Sequence, residues 1–67
     1  MNVLLNGERT EVADEETVGE LLARIGVQAR RGVAVAVGGE VVPRGEWGDR
    51  PLEDGVRVEI VNAIQGG

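Results

Sequence analysis

The amino-acid sequence predicts an α+β fold in which one amphipathic helix packs on one face of a mixed sheet of about five strands. A stripe of apolar residues recurs with helical period over residues 18–25. Segments that are β-branched or alternate with period two lie before and after it, as is typical of strands. The chain has 67 residues, so it supports a single hydrophobic core.

The N-terminal segment predicts a β-hairpin. Met1–Leu5 is apolar apart from Asn2, and the dipeptide Asn6-Gly7 follows it. Both residues tolerate the positive φ of a type I′ turn, which makes this pair a strong hairpin signal. The second strand is expected at Thr10–Val12. The acidic residues 14–16 that follow are expected to lie in a loop with their side chains in solvent. Their negative charge also suits a helix N-terminus.

The helix is predicted by its capping signals as well as by its apolar stripe. Thr17 and Glu20 have the spacing of a capping box, in which the hydroxyl caps the helix and the carboxylate reaches back. Gly26 suits the left-handed position just past the helix, and Val27 suits the apolar contact that accompanies it. The residues expected in the core share one helix face: Val18, Leu21, Leu22 and Ile25.

The remaining strands are expected after the helix. Val33–Val37 and Glu40–Val42 flank the turn Gly38-Gly39, and Pro43 ends the second of these strands because it lacks an N–H. Residues 44–55 are expected to be irregular, with Trp47 as an apolar anchor at one end of the core. The last strand is predicted at residues 56–60. We expect a domain over residues 1–63 and a flexible tail over residues 64–67.

Composition excludes several classes of function. The chain has no cysteine, histidine or serine, so it has no thiol nucleophile, imidazole base or serine triad, and a self-contained enzyme is not expected. No spacing of carboxylates suggests a metal cage. The net charge of −5 repels phosphate backbones and anionic lipid, and the longest apolar run, 33–37, is far too short to span a membrane. A cytoplasmic protein is expected.

Several motifs along the chain occur together in one protein family. The most specific is the run Val41-Val42-Pro43-Arg44 followed by Trp47, and the C-terminal Gly66-Gly67 is shared with many ubiquitin-like proteins. The other matching segments are Asn6-Gly7, Thr17-Val18 with Leu21-Leu22, Val35–Glu40, Leu52–Gly55 and Val58–Val61. With these residues the sequence resembles, over nearly its whole length, the ThiS family of ubiquitin-like β-grasp proteins, which are sulfur carriers of thiamine thiazole biosynthesis.

This resemblance implies a protein that enzymes modify at its terminus. A ThiF-like adenylyltransferase would use ATP and magnesium to adenylate the carboxylate of Gly67, with no cofactor bound to the carrier itself. Sulfur from a donor such as a cysteine desulfurase would then give a thiocarboxylate, which a thiazole synthase would accept. The tail residues Ile64, Gln65 and Gly66 would thread the partner's active site.

Other readings of the same terminus remain open. The sulfur acceptor could instead be molybdopterin or a tRNA, Gly67 could be conjugated to lysines of other proteins, or the domain could be an interaction module with an inert terminus.

Strand parity predicts a docking patch on the sheet. Because one helix covers one face, the large residues of each strand are assigned to that face, and their neighbours point to the open face. Apolar residues on an open face are typical of a binding site. Arg57 and Glu59 are expected as a polar rim around the patch. The helix face is assigned Val3, Leu5, Val35, Val37, Val58 and Ile60, and the patch is assigned Leu4, Ala34, Ala36 and Val61.

Overall fold

Five strands, one α-helix and one 3₁₀ helix make up the part of the chain that the computed structural model describes, residues 1–27 and 32–62. The strands form one sheet in the order β2-β1-β5-β3-β4, which places β5 at its centre. The elements are β1 (Asn2–Leu5), β2 (Glu8–Glu11), α1 (Val18–Arg24), β3 (Val33–Val37), β4 (Glu40–Val42), the 3₁₀ helix (Arg44–Asp49) and β5 (Arg57–Asn62).

The sheet is mixed, as predicted. β1 and β5 run parallel, and the other neighbouring strands pair antiparallel. Both hairpin turns have positive φ at their two central residues, +50° and +86° at Asn6-Gly7 and +61° and +84° at Gly38-Gly39. This geometry confirms the predicted type I′ turn at Asn6-Gly7. β2 begins earlier than predicted because a two-residue turn brings Glu8 directly opposite Leu5.

The capping signals define the ends of α1. The Glu20 N–H donates to the Thr17 hydroxyl at 3.1 Å, and the Thr17 N–H donates to the Glu20 carboxylate at 2.9 Å, which confirms the capping box. At the other end Gly26 has φ +85°, and the Val27 N–H donates to the Leu22 carbonyl at 2.9 Å. These contacts form a Schellman motif.

The prediction that Ile25 belongs to the core is wrong, because its side chain is 40% exposed. The helix ends at Arg24, and Ile25 is the C-cap with φ −91° and ψ 3°. The helical period that groups Ile25 with Val18 therefore no longer applies at this residue, which lies past the last turn that packs on the sheet.

The hydrophobic core lies between α1, the sheet and the 3₁₀ helix. Trp47 is 5% exposed, and its indole N–H donates to the Val42 carbonyl at 2.8 Å, so the only polar atom of this side chain is satisfied. Its role as an apolar anchor is confirmed, whereas the segment around it is a 3₁₀ helix rather than irregular. The buried core residues are Val3, Val12, Val18, Leu21, Leu22, Val35, Val37, Val42, Trp47, Leu52 and Val58.

The expectation that the whole acidic run is solvated fails at Glu16, which is only 7% exposed. One carboxylate oxygen accepts the Ala13 N–H at 2.8 Å, and the other accepts Nε and Nη2 of Arg24 at 3.2 and 2.9 Å. Burial raises the pKa of this carboxyl, but the Ala13 N–H and the Arg24 guanidinium outweigh it and hold the pKa below the ordinary value of 4.5. Glu16 thereby ties the loop before α1 to the last turn of the helix.

Replacing Glu16 by Gln is expected to lower the free energy of unfolding at neutral pH by about 1–3 kcal/mol, because charge-assisted hydrogen bonds are lost. Since the pKa of Glu16 is lowered in the folded state, its contribution is present above its unfolded-state pKa. The contribution is lost as pH falls through the folded-state pKa. Urea unfolding across the acid range should therefore show a stability difference between wild type and E16Q that closes at low pH.

The matched control is Glu40→Gln, which removes the same charge from an exposed carboxylate paired with Arg50 at 3.3 Å. Exposed ion pairs contribute little, so this variant should stay within about 1 kcal/mol of wild type. Equal losses in the two variants would contradict the role assigned to Glu16.

Within residues 1–27 and 32–62, no helix is long and apolar enough to cross a membrane. The predicted boundary between a domain over residues 1–63 and a tail over residues 64–67 lies outside the described residues and stays a prediction.

Candidate functional site

The central strand β5 leads to the residue on which the predicted chemistry depends. β5 pairs with β1 on one side and with β3 on the other, and its last residue is Asn62. The predicted modification site Gly67 and the threading residues Ile64, Gln65 and Gly66 lie beyond it, outside the described residues. What the structure describes is therefore the platform from which this segment starts.

The sheet face opposite α1 carries the predicted docking patch. Leu4 is 40% exposed and Val61 57% exposed, Ala34 is also exposed, and Ala36 is half-buried. On the helix face, four of the residues assigned there are buried, and Leu5 and Ile60 are partly buried and pack against the core. The strand parity is confirmed by this burial pattern, whereas the binding role of the four patch residues stays a prediction.

One residue of this face was missed by the sequence analysis. Val41 is 68% exposed and lies opposite Ala36 in the β3–β4 pairing. Its neighbour Val42 is buried, so period-two alternation within β4 points Val41 to the open face. The signal was present in the sequence as two adjacent valines, one of which had to face away from the core. We call Leu4, Ala34, Ala36, Val41 and Val61 the open-face patch.

Arg57 and Glu59 lie within this face rather than around it, which corrects their assignment as a rim. Arg57 is opposite Leu4 and Glu59 is opposite Ala36, because β5 is the central strand of the sheet. Arg57 Nη2 and Glu59 Oε2 are 4.0 Å apart, and both side chains are well exposed. A partner that bound this face would have to match a pair of charges between two apolar areas, which would add specificity to an apolar contact.

The described residues contain no group of three or more His, Cys, Asp or Glu side chains that could hold a metal ion. The buried carboxylate of Glu16 is fully engaged by Ala13 and Arg24, and it belongs to the packing of α1. The features that remain as a candidate functional site are the open-face patch and the segment that follows β5.

A mixed five-stranded sheet with a single helix on one face and a central last strand defines the ubiquitin-like β-grasp class. A solved structure of the thiamine biosynthesis protein ThiS from Geobacter metallireducens aligns over 100% of both chains, with a TM-score of 0.80 and 33% identity.

Sequence relatives agree with this structural likeness. The sulfur carrier protein ThiS of Escherichia coli K12 is 33% identical over 67 residues and covers all of both chains. A thiazole synthase of Paramagnetospirillum magneticum is 37% identical over 67 residues, which are 100% of this chain and 20% of that protein. The ThiS family model matches residues 3–67. The chain belongs to the ThiS family, whose members are sulfur carriers of thiamine biosynthesis.

Proposed function

We propose that this protein carries sulfur on the carboxylate of Gly67 for the formation of the thiazole of thiamine. The observation that supports this most is the match to the ThiS family over residues 3–67, which includes the terminal Gly66-Gly67. In this proposal a ThiF-like adenylyltransferase activates the carrier with ATP and magnesium, a cysteine desulfurase supplies the sulfur, and a thiazole synthase receives it.

The chemistry needs an oxygen nucleophile at the terminus. An α-carboxyl group has a pKa of roughly 3.5, so it is ionised at neutral pH. One carboxylate oxygen attacks the α-phosphorus of ATP and pyrophosphate leaves, which gives an acyl adenylate. A persulfide sulfur on the donor enzyme then attacks the acyl carbon, and AMP leaves with the carboxylate oxygen. A thiol cleaves the resulting sulfur–sulfur bond and leaves a thiocarboxylate on Gly67.

Glycine at positions 66 and 67 suits a terminus that enters a narrow active site. Without Cβ these residues fit a channel that excludes larger side chains. Residues 64–67 would span roughly 13 Å if fully extended. A carboxylate on the sheet itself has no such reach, so a terminal segment of this length explains how a carrier with a folded domain serves an enclosed active site.

The thiazole synthase relative supports the choice of acceptor. That protein contains a segment 37% identical to this entire chain, together with much additional sequence. Two modules in one chain meet at a high effective concentration, so their fusion is favourable when one serves the other. For this chain we infer from that fusion that its sulfur acceptor is a thiazole synthase of the same kind.

Intact-mass spectrometry tests the proposal. The protein is incubated with a ThiF-like enzyme, ATP, magnesium, cysteine and a desulfurase, and the expected product is heavier by the difference between sulfur and oxygen. Adding thiazole synthase with its other substrates should return the original mass. Return of the mass only with molybdopterin synthase or a tRNA-thiolating enzyme would contradict the thiazole acceptor, a heavier protein conjugate would indicate a protein modifier, and an unchanged mass would indicate an inert terminus.

We propose the open-face patch as the surface that both enzymes bind, because it includes Val61 of β5 and residues of both neighbouring strands, so that a bound partner would face the segment after β5. Val61→Glu places a charge on the one residue of this patch that belongs to β5. A partner that bound there would have to desolvate this charge. The Kd for the activating enzyme and for thiazole synthase is expected to rise at least about tenfold, a cost of roughly 1.4 kcal/mol. Calorimetric titration measures both.

The matched control is Ile25→Glu, since Ile25 is also a large apolar residue, 40% exposed, but at the end of α1. Both variants should keep the wild-type melting temperature within a few degrees, because surface substitutions change stability by about 0.5 kcal/mol or less. If V61E binds the two enzymes as tightly as wild type does, or if I25E loses as much affinity as V61E, the open-face patch is not the docking surface.

A further inference from the structure

The backbone pairing of β1 with β5 ends where the chain turns away from β5. The Leu4 N–H donates to the Val56 carbonyl at 2.9 Å, and the Asn6 N–H donates to the Val58 carbonyl at 2.8 Å. After Asn6 the type I′ turn leads into β2, so β1 supplies no further backbone groups to β5. β5 nevertheless continues to Asn62. Ile60 is the next residue of β5 whose backbone groups point toward β1. Its N–H and carbonyl groups therefore need other partners.

The side-chain amide of Asn6 takes the place of the missing strand residue. The Ile60 N–H donates to Asn6 Oδ1 at 2.8 Å, and Asn6 Nδ2 donates to the Ile60 carbonyl at the longer distance of 3.4 Å. An amide side chain has the same donor and acceptor pair as a peptide group, so these two contacts extend the parallel ladder by one position. We call these two hydrogen bonds the clamp. Asn6 and Ile60 are 54 residues apart in sequence, so the clamp joins the first turn to the last strand.

Asparagine is the residue type that meets both demands at this position. Its φ of +50° is in the left-handed region, which asparagine tolerates better than most residues with a side chain. Glycine would satisfy the turn but has no side-chain amide. The other hairpin has glycine at the equivalent position, Gly38 with φ +61°. Aspartate would keep an acceptor for the Ile60 N–H but would set a carboxylate against the Ile60 carbonyl.

The clamp acts on β5 two residues before its last residue, Asn62. On its other side β5 is paired with β3 through Val35–Ile60, Ala34–Val61 and Val33–Asn62. At Ile60 the strand is thus held from both sides, and beyond it only β3 provides strand pairing within the described residues. We infer that Asn6 is a positioning residue for sulfur transfer: it fixes the course of β5 at Ile60, and thereby the direction from which the terminal segment approaches the partner's active site. This inference rests on the proposed function.

Asn6→Gly is the variant that isolates the clamp, because it keeps the type I′ turn and removes only the amide. The Ile60 amide should then lose protection from hydrogen exchange. The rate of AMP release from the activating enzyme at saturating carrier, kcat, should fall between about 10-fold and 100-fold, as expected for a reacting group misplaced by about 1 Å. The KM for the carrier should not change, because the open-face patch is intact. Asn6→Asp should recover part of both losses, since it retains the acceptor.

The control for stability alone is Thr17→Ala, which removes the N-cap of α1 and is expected to cost about 1 kcal/mol. If kcat falls equally in T17A and N6G, or if N6G loses protection at Ile60 and keeps the wild-type kcat, the positioning role is wrong. A wild-type chain that is not adenylated at all would instead overturn the proposed function, and this inference with it. Wild-type activity together with an unaffected N6G would overturn the inference alone.

Discussion

A chain that lacks Gly67 is expected to lose ATP-dependent activation by at least about 100-fold. The truncated chain still ends in a glycine carboxylate, so the chemistry of the nucleophile is unchanged and only its reach is shortened, by about 3.3 Å. Displacing a reacting atom by even about 1 Å can cost 100-fold. Pyrophosphate release in the presence of a ThiF-like enzyme measures the loss. The melting temperature should not change, because the core described between Met1 and Ile60 is built without this residue.

The matched control is Gln65→Ala, which alters the same segment and keeps its length. It should be activated at close to the wild-type rate. Activation of the truncated chain at the wild-type rate would mean that the position of the carboxylate does not matter, and the threaded terminus would have to be abandoned.

Leu21→Ala is expected to be a strongly destabilising core substitution. Leu21 is fully buried at 0% exposure and lies on the buried face of α1. Leucine-to-alanine changes at such sites cost about 2–5 kcal/mol, and a domain of this length has a total stability of roughly 3–10 kcal/mol. A large fraction of L21A should therefore be unfolded at moderate temperature, as measured by circular dichroism during urea titration.

Leu4→Ala makes the identical chemical change on the open face, where the side chain is 40% exposed. This variant should keep most of its stability while binding the activating enzyme more weakly. The pair separates a residue that holds the fold from one that meets a partner. Similar unfolding midpoints for L21A and L4A would contradict the assignment of the two sheet faces.

The elements predicted correctly from the sequence are those specified by neighbouring residues. The capping box at Thr17 and Glu20 and the left-handed residues Asn6-Gly7 and Gly26 each involve contacts within a few positions of the chain. Strand parity is similarly local, because alternate residues of one strand face opposite sides regardless of which strands are its neighbours. That is why the assignment of Leu4, Ala34, Ala36 and Val61 to the open face does not depend on the order of the strands.

Three features that the sequence analysis missed depend on contacts between separate segments. The order of the strands places β5 at the centre, and this turns Arg57 and Glu59 from an expected rim into charges within the face. Glu16 looks like its acidic neighbours until the last turn of α1 brings Arg24 against it. The two hydrogen bonds between Asn6 and Ile60 could not be predicted from the sequence, because the turn alone is enough to explain Asn6-Gly7.

In the proposed reaction the terminal carboxylate itself becomes the adenylate and then loses one oxygen to AMP. The most direct measurement labels both oxygens of the Gly67 carboxylate with oxygen-18 by semisynthesis and follows the label during a single turnover with the activating enzyme and sulfur donor. We expect AMP to carry one labelled oxygen and the thiocarboxylate to retain the other. Unlabelled AMP, with both labelled oxygens still on the protein, would show that the carboxylate is not adenylated in this way.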